Sequence, residues 1–248
     1  MLFKISLRYK ILNTCKSCIF YCIVFGLFFL KATAQDTLLN KYGLWVISDT
    51  AAFNKTALNN PAKMMVDVRK AIPTIVLDLK YAGRDNFMHH RLYPHIKTTY
   101  LRRAAAEALA EVQKELYRQN LGIKIWDAYR PYAVTEKMWE PVKDDRYAAD
   151  PEFGSGHNRG IALDATLINL HTKKELNMGT GFDNFSDTAH GDFKNLPAIV
   201  LANRVLLKSV MKKYGFTVLE TEWWHFYLPD TKKYELLNLS FKDLKKIK

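Results

Sequence analysis

The chain is read as an α+β protein: a single compact domain, a mainly antiparallel sheet with helices packed on one face. Three observations carry that expectation. Two long segments have helical periodicity, several short β-rich runs lie around them without the regular strand-helix alternation of a parallel α/β fold, and no internal repeat appears. At 248 residues and 48% hydrophobic content the chain is long enough to bury one core, and its 25% charged content excludes disordered and fibrous classes.

The elements are expected in this order. Residues 74–81 (TIVLDLKY) are β-rich, and Arg84-Asp85-Asn86 suggests a turn. The strongest helix is expected over 100–119, with Leu101, Ala105, Ala108, Val112 and Leu116 along one face and a stop at Asn120-Leu121-Gly122. Ile123 to Trp126 follows as a strand, broken by Asp127-Ala-Tyr-Arg-Pro131. In residues 161–167, Ile161, Leu163, Ala165 and Leu167 point one way and Ala162, Asp164 and Thr166 the other. Lys173-Lys174 marks a turn before another short strand. A second amphipathic helix runs from Leu196 to Tyr214, ended by Gly215, and the last strands lie between Phe216 and Leu228. The Lys-rich stretch 242–248 is expected as a solvated tail.

The first 34 residues are set apart. Lys4, Arg8, Lys10 and Lys16 precede an apolar run from Cys18 to Leu30, which ends at Ala32-Thr33-Ala34, the layout of a secretory signal peptide. The run is shorter than the roughly 20 residues that span a bilayer. Residues 1–34 are therefore expected as a leader, 35–72 as an N-terminal extension and 73–248 as the main domain. The protein is expected to be exported, periplasmic or secreted, without stable membrane insertion after cleavage. All three cysteines, at 15, 18 and 22, fall in the leader, so the remainder must be stable without disulfides. The leader also holds five of the 37 basic residues and no acid, so the net charge of +12 becomes +7 once it is removed. No basic run is interleaved with aromatics, and nucleic acid is not expected as a partner.

Two segments carry chemistry: Ser155-Gly-His157-Asn-Arg-Gly160-Ile-Ala-Leu-Asp164, and Glu222-Trp-Trp-His225. Catalytic zinc takes three protein ligands, mostly His with a carboxylate, and keeps a fourth position open. His157, Asp164 and His225 can supply that set, for one zinc ion per chain. Glu222, close to His225, can take a proton from water. A regular strand would face residues 222 and 225 oppositely, so the reading needs a turn or bulge at Trp223-Trp224.

At these residues the chain resembles the zinc D-alanyl-D-alanine dipeptidases associated with vancomycin resistance, within a wider group that includes zinc D,D-carboxypeptidases. The likeness covers roughly residues 73–230 and extends to Leu79-Lys-Tyr-Ala82 with Asp85-Asn-Phe87, to Trp126-Asp-Ala-Tyr-Arg-Pro131 and to Met178-Gly-Thr-Gly-Phe-Asp183. The doubled tryptophan and the YA…DNF segment resemble the dipeptidase branch; residues 35–72 are not matched to it. The resemblance implies that His157, Asp164 and His225 bind zinc, that Glu222 is general base and then acid, and that Arg130 stabilises the oxyanion. It implies substrate contacts for Ser155, Tyr81 and Asp183, the last a candidate for the ammonium of a small dipeptide. The alternatives are a D,D-carboxypeptidase trimming peptidoglycan stem peptides and a module holding structural zinc, which would need neither Glu222 nor Arg130.

Overall fold

In the computed structural model, residues 39–247 are described; the expected leader, 1–34, lies outside them. The chain begins with strand β1 (Val46–Ile47), helix α1 (Thr50–Ala57), strand β2 (Met65–Asp67) and the short helix α2 (Val68–Ala71). Strands β3 (Val76–Leu77) and β4 (Tyr100–Arg102) precede the long helix α3 (Arg103–Tyr117). The centre holds β5 (Leu121–Asp127), α4 (Tyr132–Val142), β6 (Ala162–Asn169) and α5 (Ala198–Lys213). Strands β7 (Thr217–Val218), β8 (His225–Tyr227) and β9 (Leu236–Leu237) and the one-turn helix α6 (Phe241–Leu244) complete it. This is the expected α+β class.

The main sheet has five strands in the order β3-β5-β6-β8-β7. Only the β3–β5 pair is parallel, as the antiparallel expectation requires for the rest. Register explains which face holds what. Ile123 and Ile125 of β5 sit opposite Leu167 and Ala165 of β6. These side chains form one core with Leu109, Val112 and Leu116 of α3 and Leu207, Val210 and Met211 of α5. Both long helices thus cover one face, driven by burial of apolar stripes at helical spacing. Gln113 of α3 adds a polar tie, its Oε1 accepting from the Ile123 amide at 2.8 Å.

Several expectations shift. The helix starts at Arg103 rather than Tyr100, because residues 100–102 pair with β2 and Arg102 is buried beneath Glu235, with its guanidinium donating to the carbonyls of Arg159, Lys63 and Glu235. The β-rich run 74–81 keeps only two strand residues, since residues 80–82 tighten into a 3-10 turn. After Lys173-Lys174 there is a single bridge, Ile168 to Glu175, in place of a strand. Helix α4 has no strong signal in the sequence; Pro141 interrupts its last turn and its buried face is made of Tyr132, Val134, Thr135 and Met138. The C-terminal stretch is a correction. Phe241 and Leu244 of α6 are 6% and 1% exposed, packed in a second core with Tyr93 and Tyr129, while Lys242, Lys245 and Lys246 face water. Residues 39–72 pair into the same unit, β1 with β9 and β2 with β4.

Candidate metal centre and its cavity

The face opposite α3 and α5 carries the site. Asp164 lies there because it alternates with Leu163 and Ala165, which face the helices. Across β8, His225 is its register partner; across β5, Asp127 is. By alternation alone Asp127 would share the core face of Ile125. A bulge at Trp126, between the pairs Ile125–Ala165 and Asp127–Asp164, turns it to the other face. Asp127, Asp164 and His225 therefore stand in one row across three strands.

His157 reaches the row from the loop before β6. Gly160 shapes that loop at φ +71, and a Cβ there would lie 2.7 Å from Met65 Sδ, so the turn requires glycine. The His157 amide donates to Ser155 Oγ at 3.1 Å, and Asn158 ties the loop to the Arg130 carbonyl and the Thr135 hydroxyl. His157 Nδ1 is 2.6 Å from the Ala128 carbonyl, which can only accept; Nδ1 therefore carries the hydrogen and Nε2 keeps its lone pair for the centre.

The three expected ligands come together. His157 Nε2 is 3.2 Å from His225 Nδ1 and 3.3 Å from Asp164 Oδ2; His225 Nδ1 is 2.9 Å from Asp164 Oδ1. Tetrahedral bonds of about 2.0–2.1 Å give edges of about 3.3 Å, so two imidazoles and a carboxylate at these separations fit a metal ion of zinc's size. Among the described residues this is the one such group of three or more metal-type side chains. Burial opposes charge on Asp164, but the two imidazoles hold its carboxyl well below the usual range.

Glu222 belongs to the loop between β7 and β8. The turn required at Trp223-Trp224 is present: the His225 amide donates to the Glu222 carbonyl at 3.3 Å, and β8 begins only at His225. Trp223 and Trp224 are both buried in the core, which anchors this turn. Glu222 Oε2 is thereby 3.8 Å from His225 Nδ1. Burial, then the charges of Asp164 and Asp183, push its carboxyl well above the usual value, the direction that suits a proton carrier.

Arg130 also approaches Asp164, Nη2 to Oδ2 3.9 Å. Its Nε and Nη2 donate to Asp127 Oδ2 at 3.0 and 2.9 Å, and Tyr93 donates to Asp127 Oδ1 at 2.7 Å. Burial works against the guanidinium charge, but Asp127 and the tyrosines 81 and 93 raise its pKa well above normal. Asp127 is the residue that sequence reasoning missed. It appears in the sequence as part of a strand break, and the visible signal was its place three residues before Arg130 in Trp-Asp-Ala-Tyr-Arg-Pro.

Asp183 accepts from Tyr81 Oη at 2.9 Å and from the Phe87 amide at 3.2 Å, and burial pushes its carboxyl up to about 7. Ser155, Tyr81, Asp183, Arg130, Glu222 and the three candidate ligands all line one cavity of about 270 Å³. That volume is at the low end for small-molecule sites, which suits a ligand of a few residues at most.

The family model described as D-ala-D-ala dipeptidase matches residues 61–247. The chain belongs to this peptidase family. A D-alanyl-D-alanine dipeptidase of Escherichia coli is 35% identical over 173 residues, 70% of this chain and 89% of that protein. One of Streptomyces coelicolor is 30% identical over 188 residues, covering 66% and 93%, and one of Enterococcus faecalis is 28% identical over 172 residues, covering 62% and 85%. A solved LD-carboxypeptidase structure (LdcB) covers 61% of this chain and 71% of its own at 18% identity and a TM-score of 0.37, too loose a likeness to carry over its activity. The chain is thus a peptidase of a metal-dependent family, and its His-Asp-His group can hold the metal. Among the described residues no helix is long and apolar enough to cross a membrane.

Proposed function

We propose that the chain is a zinc dipeptidase that hydrolyses D-alanyl-D-alanine to two D-alanine molecules. The observation that carries this reading is a single small cavity in which His157, Asp164 and His225 meet at tetrahedral spacing with Glu222 and Arg130 close by. The donor set of two imidazoles and a carboxylate favours zinc. When bound, zinc supplies a Lewis acid that polarises a carbonyl and makes water more acidic.

The residues of the chain do the rest. Glu222 takes a proton from the attacking water as its oxygen adds to the scissile carbonyl carbon, and passes that proton to the amine nitrogen as the C–N bond breaks. The second water proton passes from the new carboxyl group to the amine, so the products are a carboxylate and an ammonium, with Glu222 returned to its starting state. Arg130, held rigid by Asp127, donates to the carbonyl oxygen as negative charge grows there, so its contribution is largest in the transition state. Asp183 receives the substrate ammonium, with Tyr81 and Ser155 on the walls of the same cavity. Longer stem peptides have no ammonium at that position, which supports a dipeptidase over a carboxypeptidase.

Residues 1–34 are proposed as a cleaved leader that exports the enzyme, with 35–72 as an N-terminal segment and 73–248 as the catalytic domain. Mass spectrometry of protein from outside the cytoplasm should find Gln35 at its start; an intact Met1 there would refute export by cleavage. The reaction is tested by assaying purified protein on D-Ala-D-Ala, L-Ala-L-Ala and an N-acylated D-Ala-D-Ala. Turnover of the first alone is expected. Cleavage of the acylated compound at a comparable rate would make the enzyme a carboxypeptidase, and no cleavage of any would leave the metal structural.

A further inference from the structure

A second concavity, distinct from the catalytic cavity, lies between β2, α2, the 94–98 loop and α6, with a volume of about 1060 Å³. None of the residues assigned above to the chemistry lines it. Its walls carry six exposed cations: Arg69, Lys70, Lys97, Arg103, Lys242 and Lys245. None of the six forms an ion pair with a carboxylate among the described residues, where other surface lysines such as Lys213 and Lys233 do. Asp67 is the one carboxylate on the lining, and it is already engaged, accepting from the Lys70 amide and the Thr98 hydroxyl. Met64, Met65, Ile96 and Ile247 give the groove an apolar lining between the cations.

Six unpaired cations around an apolar trough create a positive field that favours an anionic occupant. The shape selects among anions. A flat bilayer surface would meet the rim and leave the trough uncovered. Single-stranded nucleic acid calls for exposed aromatic faces on which bases stack, whereas Tyr100 and Phe241 here are buried at 5% and 6% exposure. A linear chain that alternates carboxylates with apolar side chains covers both parts, its acids beside the cations and its apolar groups against the half-buried Met64, Ile96 and Ile247. We propose that this groove docks an acidic peptide segment of a partner protein, apart from the catalytic cavity.

The test uses full-length mature enzyme and three probes: a fluorescein-labelled (Glu-Leu)₄ peptide, a (Glu-Ser)₄ peptide of equal charge, and phosphatidylglycerol vesicles. The (Glu-Leu)₄ peptide is expected to bind with an affinity that falls as salt rises and at least about tenfold tighter than (Glu-Ser)₄. The double variant Lys70→Glu/Lys242→Glu should weaken it at least about tenfold while hydrolysing dipeptide at the wild-type rate, which also shows that the variant is folded. Equal binding of the two peptides, or unchanged binding by the variant, would overturn the proposal. So would binding to vesicles without binding to peptide, which would make the groove a membrane contact. Since the catalytic residues are untouched, a failed dipeptide assay and a failed peptide titration are independent results.

Discussion

Glu222 and Asp127 show how two carboxylates on one face take different roles from their partners. Among the described residues no cation is bonded to Glu222; its carboxylate lies 3.8 Å from the His225 ring, and the raising effect of burial, Asp164 and Asp183 outweighs the lowering effect of Arg130. That is the setting of a group that exchanges protons. Glu222→Gln keeps the shape but cannot accept one, so metal content measured by atomic absorption should stay at one ion per chain while kcat falls by about 10²-fold or more. Loss of metal in that variant would make Glu222 a ligand instead. Asp127, in contrast, is fully buried and bonded to Arg130 and Tyr93, which makes it a positioning residue. In Asp127→Asn the guanidinium loses its charged anchor. The expected result is a kcat about 10–100-fold lower with KM and metal content little changed. A loss confined to KM would show that Arg130 serves ground-state binding alone.

At the level of elements, the site depends on two departures from regular geometry. The bulge in β5 brings Asp127 to the face of Asp164, and the tight loop around Gly160 carries His157 over the sheet. Both sit at strand ends, where an irregular backbone can redirect a side chain without disturbing the core packed on the opposite face. Gly160→Ala places a side chain in left-handed backbone against Met65, at a cost of about 1–2 kcal/mol for the backbone alone. Calorimetry should find a melting temperature several degrees lower, and metal affinity should fall with it because His157 shifts. A variant with unchanged melting temperature and metal affinity would mean that the loop tolerates another path and that the glycine is not what sets it.

For the molecule as a whole, the cavity shapes how stability depends on pH. Burial raises Asp183 from its ordinary 3.8 to about 7. Between those values the unfolded chain has released this proton and the folded chain retains it. Stability from this residue is therefore lost as pH rises from about 4 to about 7, and the loss is complete above the folded value. Denaturant titrations of chelator-treated protein at pH 4.5, 6 and 8 should show the gap between wild type and Asp183→Asn moving against wild type as pH increases, since the amide does not titrate. A gap independent of pH would place Asp183 in an ionised state throughout. A substrate ammonium beside Asp183 would favour its charged form, linking ligand binding to proton release in the same range.

The local patterns in the chain were sufficient for the α+β class and for the two long helices, and they picked out the candidate metal triad. Apolar stripes at helical spacing and the alternation at 161–167 depend only on which residues face a core, and His157, Asp164, Glu222 and His225 were legible because their chemistry is rare and closely spaced. Other features were decided only by tertiary contacts. Asp127 faces the site because of a bulge that no residue type announces. Helix α3 begins late because β4 finds a partner some 35 residues earlier, and the lysine-rich end folds because Phe241 and Leu244 have a core to enter. The basic groove is likewise assembled from segments far apart in the chain, around residues 69, 97 and 242, which share no local pattern. Composition and periodicity report what a residue needs to bury or expose; which distant segment meets that need is settled only when the chain closes on itself.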